Sequence, residues 1–190
     1  MPLISPTTAS CSMNDKQGIR KLHHRVSGIK QITMELIIIK GKPHHGKTTT
    51  LVLLHNRFVR EQSNVIVVQP HDNILSDGRE ACDFISVHDF LGKRIAIISR
   101  GDIAEDLYES MAELIETFHP DIMVVCMHTK NYPNSSNRML HEEYGALIKD
   151  ENIFEPIYTE DESKKIDEKL PMVDALYQHI VQTINTLKNE

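Results

Sequence analysis

Hydrophobic positions first concentrate at Met34 to Ile39, a compact Ile-rich run of the kind a central strand shows when both of its faces are covered. From Thr49 to Arg60 the period changes: Leu51, Leu54 and Phe58 recur at i, i+3 and i+7, and Val52 and Val59 widen the stripe, which predicts a helix. Val65 to Val68 predicts a second buried strand, and a polar loop follows over 70–81. Asp83 to Val87 and Arg94 to Ile98 predict two more strands, with Leu91-Gly92-Lys93 in the turn between them. Asp102 opens a helix whose apolar face is Ile103, Leu107, Met111, Leu114, Ile115 and Phe118 and which stops at His119-Pro120. A buried strand is expected over Asp121 to Cys126, a polar loop through Asn131 to Ser136, a helix over Asn137 to Ile148 and a strand over Ile153 to Tyr158. The last helix carries Val173, Leu176, Tyr177, Ile180, Ile184 and Leu187 as its stripe, and Pro171 fits its first turn.

Strands and helices thus alternate from residue 34 onward, the signature of parallel βαβ units. The expected fold class is α/β: a three-layer sandwich whose mainly parallel central sheet has about five strands, with helices on both faces. The segments 83–87 and 94–98 are too close in sequence for a parallel crossover, so if adjacent they form an antiparallel hairpin. Residues 1–33 read as a basic, flexible extension with a short, weakly amphipathic helix over 15–32, and 34–190 as one domain.

Composition narrows the function classes. A chain of 190 residues with 40% hydrophobic and 25% charged positions excludes a disordered, collagen-like or disulfide-scaffold protein. No apolar run approaches a membrane span, and no secretory signal is expected. Cys11, Cys82 and Cys126 are odd in number and form no CxxC, which suits a cytoplasmic protein. The net charge of −6 divides unevenly: residues 1–33 carry +4, leaving −10 for the rest. A mostly acidic body argues against a nucleic-acid surface, while the basic arm could meet an acidic protein partner.

The sharpest chemical signal is Gly41-Lys42-Pro43-His44-His45-Gly46-Lys47-Thr48, a complete G-x-x-x-x-G-K-[ST] between a predicted strand and a predicted helix. A loop that wraps phosphate must turn sharply and bring its backbone close to oxygen atoms, and Gly41 and Gly46 allow this. Amides from His44 through Thr48 would point at the β-phosphate, aided by the helix dipole. Lys47 would reach the β- and γ-phosphates, Thr48 would ligate Mg²⁺ and Thr49 would lie near the α-phosphate. The adjacent pair His44 and His45 reads as loop residues that supply amides, with metal ligation as the alternative.

On these residues the chain resembles the P-loop NTPase superfamily, with 41–48 as its Walker A motif and 34–60 as its strand, loop and helix unit; elsewhere it matches only in its alternating pattern. The resemblance implies a P-loop NTPase-like sandwich, a bound ATP or GTP, Mg²⁺ and catalysis through Lys47. It also calls for an acid after an apolar strand. Ser99 stands at that place after Ile95 to Ile98, and Asp102 follows three residues later. Asp102 has two readings: a helix cap paired with Glu105 in a D-x-x-E box, or the carboxylate that holds a Mg²⁺-bound water. Asp72 is the rival acid, read mainly as a solvated loop residue. Thr129-Lys130-Asn131-Tyr132 carries Tyr132 where a guanine-reading aspartate would stand, which favours ATP over GTP. Arg138 reads as a surface arginine or as a lid arginine closing over the transferring phosphate.

Other chemistries lack their residues. His141-Glu142-Glu143-Tyr144 has no second histidine for a zinc helix, there is no G-x-S-x-G elbow, and the run from Asp150 to Lys169, with eight acids against three lysines, reads as a solvated face. Three functions fit: a Mg²⁺-dependent nucleoside-triphosphate-binding protein that hydrolyses ATP, a small-molecule or nucleotide kinase, and a non-catalytic module whose partner binding depends on nucleotide.

Overall fold

The computed structural model describes residues 34–69, 83–101, 103–161 and 164–189. The expectations for 1–33 with Cys11, for the loop 70–81 with Asp72, for Cys82 and for Asp102 lie outside the described residues. The Ile-rich run forms β1 (Glu35–Gly41), and the helix after the glycine loop is α1 (Lys47–Arg60). Then come β2 (Asn64–Gln69), β3 (Ile85–Phe90), β4 (Lys93–Ile98) and α2 (Ala104–Phe118). The chain continues with β5 (Ile122–His128), α3 (Ser136–Tyr144), β6 (Ile153–Phe154) and α4 (Lys165–Asn189).

The expectation of a mainly parallel, P-loop NTPase-like sheet of about five strands is wrong. There are six strands in the order β2-β3-β4-β5-β1-β6, and the sheet is mixed, antiparallel at the β2-β3-β4 end and parallel through β4-β5-β1-β6. The cause is a single reversed strand. β3 and β4 are joined by Leu91 and Gly92 alone, with φ of 52° and 77°, and a two-residue turn with both φ positive folds a hairpin. The expected antiparallel pairing of these two segments is therefore present, and β3 runs against every other strand.

Three further corrections concern burial and length. β2 is a half-exposed edge strand with a register shift between Val65 and Val67, not a buried one; a bulge on an edge obstructs pairing with another sheet. β6 pairs for only two residues, Ile153 and Phe154 against Ile38 and Ile39. Residues beyond it form a strap rather than the expected strand to Tyr158. Pro171 lies inside α4 rather than in its first turn, where it withholds the N–H that would bond the Asp167 carbonyl.

Alternation along β1 explains the two-sided core. Ile37 and Ile39, with Ile95, Ile97 and Val124, pack under Leu51, Leu54 and Phe58 of α1 and Leu176, Ile180 and Ile184 of α4. Leu36, Ile38, Met123 and Val125 are equally buried, and α2 and α3 pack on β4, on β5 and on each other. Each fully buried aliphatic side chain contributes roughly 1.5–3 kcal/mol. Asn152 ties this core to β1, donating to the Leu36 carbonyl at 3.1 Å while its Oδ1 lies 2.8 Å from His179 Nε2 of α4.

Buried polar groups also join α1 to the reversed strand. His55 Nδ1 lies 3.0 Å from His88 Nε2, and His88 Nδ1 lies 3.0 Å from the Ser63 hydroxyl. Burial pushes the His55 pKa down to about 4, and burial together with the His55 charge pushes His88 down to about 3. Both rings are neutral in the fold at pH 7, whereas in the unfolded chain they protonate near 6.5. Their contribution is complete above that value and is lost as pH falls toward 4, because only the unfolded chain then gains the protons. Each histidine should steepen the decline by about 1.4 kcal/mol per pH unit between pH 6 and 4.5. Urea unfolding across that range should show a shallower slope for His55→Gln than for wild type; parallel slopes would show that the pair does not titrate on unfolding.

Candidate functional site

The chain has five residues, Lys42 to Gly46, in which to leave β1 and enter α1. It does so through two left-handed residues, His44 with φ 63° and Gly46 with φ 80° and ψ 22°. A non-glycine residue in that region costs roughly 1–2 kcal/mol, which glycine avoids at 46. The loop is braced by the His45 amide on the Lys42 carbonyl at 3.3 Å and by the Thr50 hydroxyl on the Gly46 carbonyl at 2.9 Å. Gly46 is the helix N-cap, no side chain caps the first amides, and the first turn holds no acid. The positive end of the α1 dipole therefore faces the loop without a neighbouring acid in that turn.

Lys47 is buried and folds back over the loop, donating from Nζ to the Gly41 carbonyl at 3.2 Å and the Lys42 carbonyl at 3.1 Å. Lys42, Pro43 and His44 are exposed, His45, Gly46 and Thr48 half-buried, and Gly41 and Thr49 buried. The structure thus gathers all the loop residues singled out in the sequence in one turn at the carboxyl end of β1. His45 also meets the Tyr158 ring, with centroids 5.1 Å apart. Burial, and then the ammonium groups of Lys42, Lys47 and Lys169, lower the His45 pKa below its ordinary value. The local field is positive.

The acid at this site is one the sequence reading passed over. The Thr48 hydroxyl donates to Asp83 Oδ1 at 3.3 Å, and the Ser99 hydroxyl donates to the same oxygen at 3.4 Å. Ser99 in turn accepts the Phe84 amide at 2.7 Å. Ser99 stands where an aspartate was sought, and the neighbouring strand supplies the carboxylate. Hairpin arithmetic contained the signal: a turn centred between 91 and 92 sets position 83 opposite position 100, beside the end of β4.

Asp102 lies outside the described residues; the N-cap of α2 is Ile103, in extended conformation and without a side-chain cap bond. Arg138 is not drawn to the loop by any described bond. Its guanidinium donates to Glu142 Oε1 at 2.6 Å on the exposed face of α3, and with Asn131 and His141 they line an open cleft of about 420 Å³. The Thr129 to Tyr132 fragment is an irregular segment leaving β5: the Lys130 amide donates to His128 Nδ1 at 3.0 Å, and the Tyr132 ring packs on His128 at 5.5 Å. Cys126 is buried in β5.

Mg²⁺ fits this donor set. Among the described residues no three His, Cys, Asp or Glu side chains cluster as a metal cage, but Mg²⁺ bound with a phosphate uses one or two protein oxygens and keeps waters. Thr48 and Asp83 provide such a pair. No helix among the described residues is long and apolar enough to cross a membrane. No protein-family model, curated protein or solved structure matches the chain.

After β4 the chain passes hard against β5. A methyl group on Gly101 would lie 2.4 Å from Cys126 Cβ and 2.6 Å from its carbonyl oxygen. Backbone cannot yield to that contact cheaply, so Gly101→Ala should lower stability by about 1–3 kcal/mol, several degrees in melting temperature. An unchanged melting curve would mean that the segment leading to α2 does not run over the end of β5.

Proposed function

We propose that the loop 41–49 binds the phosphates of a Mg²⁺-nucleoside triphosphate as in the P-loop NTPase superfamily, with ATP preferred to GTP, and that the chain hydrolyses it slowly. The observation that carries this reading is the closed turn itself. Left-handed His44 and Gly46, the folded-back Lys47 and the Thr48–Asp83 contact occur together at the carboxyl end of β1. Anionic oxygens would complete the first two, and a divalent cation between them and Asp83 would complete the last.

In this reading Lys47 exchanges the carbonyls of Gly41 and Lys42 for β- and γ-phosphate oxygens. The first amides of α1 hold the β-phosphate, and the fixed positive charges stabilise negative charge as the terminal bond breaks. Water forms the new bond to phosphorus, the bond to the bridging oxygen breaks, and the products are the diphosphate and inorganic phosphate. Thr48 and Asp83 would hold Mg²⁺, which would supply positive charge against the phosphates. Tyr132, packed on His128 where a guanine-reading aspartate would stand, supports adenine over guanine.

A second reading, nucleotide binding without turnover, is favoured by one observation: the Arg138 guanidinium is held by Glu142. A third, transfer to an acceptor, would use the cleft beside that pair. Release of ADP without any acceptor, with an added acceptor, or not at all separates the three.

Binding itself is read by thermal unfolding. Mg²⁺-ATP at about 100 times its dissociation constant should add roughly 2.7 kcal/mol, a rise of about 5–11 °C. Lys47→Ala should abolish the rise, and Asp83→Asn should raise the Mg²⁺ concentration needed by about 10–100-fold. Equal shifts in wild type and Lys47→Ala, or none with ATP or GTP, would overturn the proposal.

A further inference from the structure

The phosphate loop has a neighbour that its motif does not contain. Lys169, in the second turn of α4, is 1% exposed. Its side chain lies directly on Gly46: a methyl group there would be 2.5 Å from Lys169 Cε and 3.4 Å from Nζ. The partners of its ammonium among the described residues are neutral, the Ile157 carbonyl and the Thr159 hydroxyl, the latter at 3.2 Å. Thr159 itself donates to Glu168 at 2.7 Å, so the nearest carboxylate is turned to the hydroxyl. Burial is also the main cause that lowers the Lys169 pKa, ahead of the opposing pull of Glu168.

A buried ammonium whose partners among the described residues are neutral oxygens is costly, since desolvation of a charge is recovered by an opposite charge and only partly by dipoles. Long lysine stems ordinarily carry the ammonium out to water. Here the stem ends against the left-handed glycine at the mouth of the loop, on the opposite side of Gly46 in sequence from Lys42 and close enough to lower the His45 pKa together with Lys42 and Lys47. Three lysines thus converge on one histidine of a loop whose described acid is Asp83.

We propose that Lys169, delivered from α4, is a second phosphate-binding lysine of this loop, so that its anion is gripped by Lys47 from the motif and by Lys169 from the far end of the chain. The inference rests on the reading of loop 41–49 as a phosphate site. On binding, the ammonium leaves the Ile157 carbonyl and the Thr159 hydroxyl for a phosphate oxygen, which also loosens the strap from Glu155 to Thr159. Ion-pair hydrogen bonds to phosphate are among the stronger polar contacts, so the loss of this one should be visible in affinity.

The test is calorimetric titration of the full chain with inorganic tripolyphosphate and Mg²⁺, which isolates phosphate recognition from the base. Lys169→Met keeps the stem and removes the charge; its affinity should fall about 10–100-fold. Thr159→Val removes a neutral partner and the hydrogen bond to Glu168 but keeps the ammonium; combined with Glu168→Gln, so that no freed carboxylate competes for Lys169, it should bind as tightly as Glu168→Gln alone. Wild-type binding with Lys169→Met within twofold would overturn the role of Lys169 while leaving the loop's reading intact. An equal loss in the double variant, relative to Glu168→Gln alone, would assign the effect to the strap and overturn it as well. Failure of wild type to bind tripolyphosphate would overturn both. Should Lys169→Met not fold, the Lys169 Nζ resonance in wild type decides: it must shift on adding tripolyphosphate, and an unmoved resonance refutes the proposal.

Discussion

The structure depends on one geometric demand: five residues must carry the chain from a strand buried along Leu36 to Ile39 into a helix lying on that strand's own face. The turn has positive φ at His44 and Gly46, leaves the first amides of α1 without a side-chain cap and brings the Gly41 and Lys42 carbonyls within reach of one ammonium. Lys47 answers the carbonyls. Nothing acidic in the first turn answers the amides. The core fixes this geometry from behind, because Leu36 to Ile39 are wholly buried and Leu51 and Leu54 press α1 onto them. The loop cannot relax without moving either element, and the proposed phosphate site relies on that rigidity.

The reversed strand has a consequence for chemistry as well as for topology. In a wholly parallel sheet the residue that begins a strand lies at the edge opposite the phosphate loop. β3 runs the other way, so Asp83, just before it, arrives at the carboxyl edge, beside the end of β4 and within hydrogen-bond distance of Thr48. The feature that departs from the expected sheet is therefore the one that places a carboxylate beside the loop. The same hairpin carries His88 back to His55 of α1, and the pair anchors the reversed strand to the helix that starts at the loop.

Reading the sequence located β1, the glycine loop and α1 closely, because period and motif are local properties and here they agree. It failed where the outcome depends on what a segment meets in space. β2 has the composition of a buried strand, yet it lies at the sheet's edge, and nothing in Val65 to Val68 says so. Ile153 to Tyr158 carries enough apolar residues for a strand, but pairing ends at Phe154 and leaves Ile157 and Tyr158 exposed. Pro171 suggested a first turn, whereas α4 begins six residues earlier and tolerates the missing N–H. Asp83 and Lys169 lie 35 and 121 residues downstream of Thr48, too distant for any motif window. The first was implicit in hairpin register; the second had no local signal, since a lysine among lysines and acids on a helix reads as surface.

That last residue shows how charge is distributed over the site. Lys42, Lys47 and Lys169 all act on His45 in the same sense, and the ring responds by favouring its neutral form. Such convergence of like charge opposes folding; the Lys47 ammonium meets the Gly41 and Lys42 carbonyls, and the Lys169 ammonium meets the Ile157 carbonyl and the Thr159 hydroxyl. A dipole returns only part of what a buried cation loses in leaving water. On the proposed reading of the loop, a ligand with several adjacent anionic oxygens would return to Lys169 more of that loss than the neutral oxygens it meets among the described residues. The arrangement also joins remote parts of the fold, because the strap and α4 hold Lys169 in place while β1 and α1 hold Lys47. An anion that draws both lysines inward acts on the two ends of the chain at once.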